Sequence, residues 1–261
     1  MTRFPTFEEF DQLLRGLRPF LLDPTSAGDV VVKNRNDFVT AADVGVQRRL
    51  QKELAVLCPD CRFMGEEDSD HTVDADTPTF ILDPIDGTTN YIFHYGLSAV
   101  SLALCYKGRT VMGGVYNPTT DELFFAERGK GATLNGKPIR VLDATTPDQV
   151  VAAVGTMPYR KEFANSLFRV AKRLYLECID IRRSGSAALD LCHLAAGRVG
   201  VYCERGLKVW DYAAASLILE EAGGRITDYA NNAVPLVGGS DVAATNGHLH
   251  PYLLKLLAEE M

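Results

Sequence analysis

The sequence lacks an apolar run of the kind that spans a bilayer. Its longest uncharged run, Gly87 to Tyr106, is broken by Thr, Asn, His and Ser, a poor match to about 20 apolar residues. The first 25 residues carry Arg3, Glu8, Glu9, Asp11, Arg15 and Arg18 spread through them, which excludes the basic-then-apolar layout of a signal peptide. A cytoplasmic protein is expected, with no membrane association. An excess of basic residues is also missing: 27 Lys and Arg stand against 34 Asp and Glu, for a net charge of -7. The cations are dispersed, so general nucleic-acid binding, which rests on clustered Lys and Arg, is not expected. An acidic protein still binds a phosphate ester if a metal cation stands between its carboxylates and the anion.

Thiol and imidazole chemistry is equally thin. The six cysteines are scattered, several inside apolar runs, as expected of reduced, buried thiols. Cys58 and Cys61 form a C-x-x-C, but no second Cys pair or His pair completes a zinc site. His71, His94, His193, His248 and His250 show no repeated ligand spacing. No linker, repeat or low-complexity tract divides the 261 residues, of which 46% are hydrophobic and 23% charged. That composition is ordinary for a globular protein, and a single domain over residues 1–261 is expected, with halves meeting near residue 146.

Phe7, Phe10, Leu14, Leu17 and Leu21 recur at helical spacing, with a kink or end predicted near Pro19. After a turn at "KNRNDF", Thr40 and Asp43 make a capping-box pattern, and Val44, Leu50, Leu54 and Leu57 continue one helical face. Strand-like runs follow at "TFILD", "LSAVSLALCY", "RTVMGGVYN" and "ELFFAE", with a hairpin signal at "LNG". The first half therefore reads as α+β, two helices on a largely antiparallel sheet. Beyond residue 146, strand candidates "VVAAVGT", "CIDIR", "VGVYCE" and "RITDY" alternate with helices near 161–176, 186–197 and 211–222, an α/β rhythm.

The chemistry concentrates in "FILDPIDGTTNY". Asp83 and Asp86 flank a Pro-Ile pair, and Pro84 is expected to end the strand in a rigid turn. Two carboxylates so close repel and raise each other's pKa unless a cation sits between them, which points to a hard divalent ion, Mg²⁺ first. Gly87 then allows close backbone approach, and free N–H groups at a helix start attract phosphate oxygens. Aspartyl-nucleophile phosphatases need an acid two positions before the second Asp; here that position is Pro84. Water activated by metal is the expected attacker instead. In "MGEED", Gly65 turns the chain so that Glu66 or Glu67 reaches the same sheet end. In "KVWDYAAAS", Asp211 precedes Ala213, Ala214 and Ala215, small residues that let its helix approach another element closely. A plain helix cap explains Asp211 or Asp43 equally well.

"GEE", "DPIDGTTN" and "WD" followed by small residues, in that order, resemble the inositol monophosphatase family of Mg²⁺-dependent, Li⁺-sensitive sugar-phosphate phosphatases, from about Lys33 almost to the C-terminus. The resemblance implies an αβαβα sandwich, of the type shared with fructose-1,6-bisphosphatase, and a homodimer. It assigns Glu66, Asp83 and the Ile85 carbonyl to a first metal and Asp83, Asp86 and Asp211 to a second. Glu66 also serves a weaker third, and two to three Mg²⁺ ions per site are implied, with Mn²⁺ as substitute. Thr88, oriented by Asp43, acts with Glu66 to activate water, while the Gly87 and Thr88 amides hold phosphate. One metal polarises the water and the other stabilises the departing oxygen. Gly185, Ser186 and Ala187 in "RSGSAALDL", with Glu204, Asp86 and Asp211, become substrate contacts. The loop between Lys33 and Asp37 is about a residue shorter than in the animal enzymes, which leaves the part of Lys33 open. Arg182 and Arg183 fit either substrate or surface, and Tyr91, Phe93 and Tyr95 fit packing.

Inositol 1-phosphate is the default substrate on this resemblance. Fructose 1,6-bisphosphate, a nucleotide 3′-phosphate, NADP and histidinol phosphate are alternatives on the same metal residues. A reading of another class is a regulatory protein that binds RNA-associated machinery, with catalysis secondary; suitable residues at every metal position count against it.

Overall fold

The computed structural model describes residues 3–26, 28, 30–34 and 37–261. Part of the "KNRNDF" turn and the Lys33 side chain lie outside the described residues.

Helix α1 (Phe7–Arg15) starts on a Thr6–Glu9 capping box, and α2 (Arg18–Leu21) follows after a short break at Gly16. Pro19 therefore sits in the first turn of a new helix rather than kinking the old one, a place where its missing N–H is not needed. The hairpin β1 (Val30–Asn34) and β2 (Asp37–Thr40) leads into α3 (Ala41–Leu57), capped as expected by the Thr40–Asp43 box. The chain continues through β3 (Arg62–Gly65), β4 (Thr79–Asp86), the short α4 (Thr88–Ile92), and β5 (Ala99–Tyr106). Next come β6 (Arg109–Asn117), β7 (Glu122–Glu127), β8 (Ala132–Leu134) and β9 (Lys137–Ile139). These seven strands form one sheet in sequence order, antiparallel except for the β3–β4 pair. The "LNG" turn closes β8 onto β9 with Asn135 and Gly136 both at positive φ, the geometry that matches strand twist.

The second half holds β10 (Val151–Val154), α5 (Ala164–Glu177), β11 (Asp180–Arg182), α6 (Ala187–Ala195), β12 (Val201–Lys208) and α7 (Val209–Glu221). It ends with β13 (Arg225–Thr227), β14 (Gly239–Thr245) and α8 (His250–Glu260). Its sheet order is β11-β10-β12-β14-β13, parallel around β10 and antiparallel around β14. The α/β rhythm holds only for the parallel part. Strand β14 was not singled out from the sequence and pairs with β12 on one side and the edge strand β13 on the other; α8, with Leu249, Leu253, Leu256 and Leu257 at helical spacing, adds an outer helix.

Three apolar clusters place the layers. Phe10 and Leu14 of α1 and Val46 and Leu50 of α3 pack on Phe80, Leu82, Leu102 and Leu104, one face of the first sheet. Its other face meets α6 and α7, which are buried all round and also touch Tyr202 and Ala244 of the second sheet. Val170 and Leu174 of α5 and Leu253 and Leu256 of α8 cover the far face of that sheet. The result is the αβαβα sandwich. Gly113 shows why the small residues of α7 matter: a Cβ there would lie 2.7 Å from the Ala214 carbonyl oxygen, so sheet and helix touch backbone to backbone.

Candidate functional site: a carboxylate cluster between the two sheets

Strand β4 does not stop at Pro84. It runs to Asp86, and its pairing with β5 shifts between Asp83, opposite Ser101, and Asp86, opposite Ala99. That is a bulge, the feature that lets a proline sit inside a sheet. It corrects the expected turn and explains the three-residue spacing. Side chains three apart on a regular strand point to opposite faces; one extra residue restores the phase, so Asp83 and Asp86 converge. Gly87, at φ 88°, then turns the chain into α4.

Asp211 arrives from the second half. It is the third residue of α7, and its Oδ2 accepts from the Lys208 amide at 2.7 Å. Carboxylate oxygens of Asp83, Asp86 and Asp211 all lie within 4.8 Å of one another. Glu66 is brought beside them by the parallel register of β3, where Gly65 pairs with Leu82 and the Glu66 amide donates to the Leu82 carbonyl at 3.0 Å. Glu66 lines the cavity, and the Glu67 amide donates to Gln47 Oε1 at 3.1 Å.

Burial and mutual charge push these acids up. Asp83 is held well above the usual carboxylate range by burial, then by the charges of Glu66, Asp86 and Asp211. Asp211 is raised by burial and by Asp86 and Glu66. Asp86 reaches only about 6: burial raises it, while the Ser186 hydroxyl and the Ala188 amide, 2.7 Å away, stabilise its charge. Among the described residues no Lys or Arg forms an ion pair with any of the three. An all-oxygen donor set with unmatched negative charge fits a hard divalent cation such as Mg²⁺.

The cluster lies in a cavity of about 460 Å³ whose lining includes Gly87, Thr88, Gly185, Ala187 and Glu204. The Thr88 hydroxyl donates to the Ile85 carbonyl at 3.0 Å, which keeps a second lone pair for a cation. Asp43 sits behind this wall, almost fully buried, its Oδ2 accepting from the Thr40 amide and hydroxyl at 2.7 and 2.6 Å. Its charge still reaches Asp83. Ser186 does not face the cavity: it is buried and donates to Asp86, so it positions that acid. Gly87 and Gly185 are pressed together, a Cβ on Gly87 falling 3.0 Å from the Gly185 carbonyl oxygen.

Several lining residues were not singled out from sequence. Asp190 on α6 is buried at the cavity wall and pushed up to about 8 by burial; a lone acid inside the apolar "AALDLCHLAA" was the available signal. Tyr159 and Lys161 come from the segment before α5 and carried no period. Arg183 faces the cavity, whereas Arg182 pairs with Asp180 on the surface. Of the aromatic trio, Tyr91 packs inward on Leu21 and Ser26, while Phe93 is 76% exposed at the cavity rim.

The chain matches the inositol monophosphatase family over residues 13–261. It is 36% identical over 248 residues to the protein named Nus factor SuhB of Salmonella typhimurium strain LT2, covering 90% of this chain and 91% of that one. It is 37% identical over 231 residues to the inositol-1-monophosphatase of Caulobacter vibrioides, covering 86% and 89%. Among solved structures, the IMPase of Thermotoga maritima superposes with a TM-score of 0.86 at 29% identity, covering 97% of this chain and 96% of that chain. No described helix is long and apolar enough to cross a membrane. The sequence motifs, the layered fold and these matches agree: the chain belongs to the inositol monophosphatase family.

Proposed function

We propose that the protein is a Mg²⁺-dependent phosphomonoesterase that hydrolyses small polyol or sugar phosphates by attack of water, with inositol 1-phosphate the reference substrate. The observation that carries this is the convergence of Asp83, Asp86 and Asp211 within 4.8 Å at a cavity also lined by Gly87 and Thr88. The three aspartates, with Glu66 and the Ile85 carbonyl, would hold two to three cations, Mn²⁺ serving in place of Mg²⁺. Divalent cations bound there supply a water of lowered pKa and charge neutralisation of the phosphoryl group. The chain's own residues do the rest. The Gly87 and Thr88 amides, at a left-handed turn, grip phosphate oxygens. Glu66 accepts the water's proton with help from Thr88 and Asp43, and Glu204, with Gly185 and Ala187, orients the polyol.

Residues 1–261 act as one phosphatase domain, and the six free cysteines are consistent with the reducing cytoplasm. A homodimer is supported by the outer face of α5. Phe168, Tyr175 and Leu176 stand there about 60% exposed, and Ile179, just beyond the helix end, is exposed to the same degree. They offer several hundred Å² per copy, roughly 1,000 Å² for a two-fold pair.

The test is phosphate release from inositol 1-phosphate, fructose 1,6-bisphosphate, a nucleotide 3′-phosphate, NADP and histidinol phosphate, with and without Mg²⁺ and with added Li⁺. Release that needs Mg²⁺ and is suppressed by Li⁺ is expected; none from any ester would sink the reading. A regulatory protein with secondary catalysis is favoured by one observation, the name Nus factor SuhB carried by relatives such as that of Salmonella. Silent esters together with capture of RNA-associated machinery would support it.

A further inference from the structure

The cavity lining that holds the aspartates also carries the other sign of charge. Lys161 lines the cavity from the turn before α5, is exposed, and has no ion-pair partner among the described residues. Its neighbours are not in that condition: Arg160 pairs with Glu162, and Arg182 with Asp180. Arg183 lines the same cavity and is fixed by a neutral group, its Nε and Nη2 both donating to Thr156 Oγ1 at 3.1 and 2.9 Å. The guanidinium lies against the Gly185 backbone, with Nη1 2.3 Å from where a Gly185 Cβ would stand. The fork is thus oriented without being neutralised.

Asp190 and Glu204 form no ion pair with these cations among the described residues. Burial pushes Asp190 up to about 8 and raises Glu204, which accepts from the Tyr202 hydroxyl at 2.7 Å. At the other end, Glu66, Asp83, Asp86 and Asp211 are matched by the divalent cations of the reading above. A neutral polyol presents only hydroxyls to Lys161 and Arg183, whereas a planar guanidinium and an ammonium on one cavity lining suit phosphate or carboxylate oxygens. We propose that Lys161 and Arg183 form a subsite for a second anionic group, a phosphate or carboxylate carried by the same small ester. This rests on the phosphatase reading and narrows its substrate class to doubly anionic esters.

The experiment compares fructose 1,6-bisphosphate with fructose 1-phosphate, which share the 1-phosphate and differ in the second anion. Calorimetric binding with Ca²⁺ in place of Mg²⁺ keeps the result independent of turnover, and phosphate release with Mg²⁺ is measured in parallel. The bisphosphate is expected to bind about tenfold to a hundredfold tighter, the scale of charge-assisted hydrogen bonds. Lys161→Met and Arg183→Met should each cut that ratio several-fold. Lys161 is exposed, so its variant tests the subsite even if the Arg183 variant folds poorly. Equal affinity for the two esters, or variants that weaken both alike, would overturn the subsite. Absence of Mg²⁺-dependent release from these two esters and from every ester of the panel above would instead overturn the phosphatase reading, while the binding ratio still decides the subsite.

Discussion

At the aspartate end of the cavity each acid is held by the chain itself: Asp83 accepts from the Ile85 amide, Asp86 from Ser186 and Ala188, Asp211 from the Lys208 amide. Tyr159, Lys161 and Arg183, which line the same cavity, are exposed and come from segments outside the strands and α-helices. One end lies on strand β4 and helix α7, where a bulge and a helix cap fix positions; the other lies on loops. The difference separates two tasks. Chemistry needs ligands whose placement does not vary, whereas substrate choice is carried by segments that change with little penalty to the core.

The largest effect should come from breaking the rigid end. Asp211→Asn keeps an oxygen that accepts from the Lys208 amide, so the cap and the fold remain, but it removes one negative ligand. Turnover with Mg²⁺ should fall by at least about a hundredfold, the loss expected when several kcal/mol of charge stabilisation disappear. Melting temperature should stay near that of the parent protein. Unchanged turnover would remove Asp211 from the metal site.

Next in size is the response to pH without metal. Burial holds Asp83, Asp86 and Asp211 above their ordinary values, Asp86 at about 6 against 3.8. Between those values the folded protein binds more protons than the unfolded chain, so its stability falls as pH rises through that window and stays lower above it. For Asp86 alone the loss is on the order of 3 kcal/mol. Mg²⁺ removes the repulsion and binds the deprotonated acids. The gain in melting temperature on adding Mg²⁺ should therefore be larger near about pH 7.5 than near about pH 5. Equal gains would mean that these acids do not hold the ion.

The same division decides what could be read in advance. Asp83, Asp86, Gly87 and Asp211 were legible because local rules act on them: a proline inside a strand, a glycine that must turn, an acid at a helix start. Asp83 and Asp86 were expected close together on a turn at Pro84; they do converge, but the means is a bulge in the β4–β5 ladder, which spacing alone does not reveal. Ser186 was read as a substrate contact with Gly185 and Ala187 because "RSGSAALDL" resembles the family's sugar-facing loop; that its hydroxyl turns inward onto Asp86 depends on the packing of α6. Strand β14 and Lys161 had no periodic signal at all. Their places are set by tertiary partners, β12 for the one and the cavity for the other.

Two glycines sharpen the comparison, one on each wall. Gly87→Ala forces a side chain onto φ 88° with its Cβ 3.0 Å from two carbonyl oxygens, those of Gly185 and Leu97. Backbone cannot yield there cheaply, so a stability loss of about 1–3 kcal/mol and a drop in kcat of roughly tenfold are expected. Gly155→Ala places a Cβ 1.9 Å from the Glu204 carboxyl carbon, and the first atoms in its way belong to the end of a side chain that can swing. The carboxyl must leave its bond from Tyr202, now 2.7 Å, and move within the cavity. Melting temperature should change little and kcat less than in Gly87→Ala, while KM for a polyol phosphate should rise a few-fold, as when a ground-state contact is lost. If Gly155→Ala instead lowered kcat as far as Gly87→Ala does, Glu204 would belong with the rigid end, and the division between chemistry and substrate choice would fail.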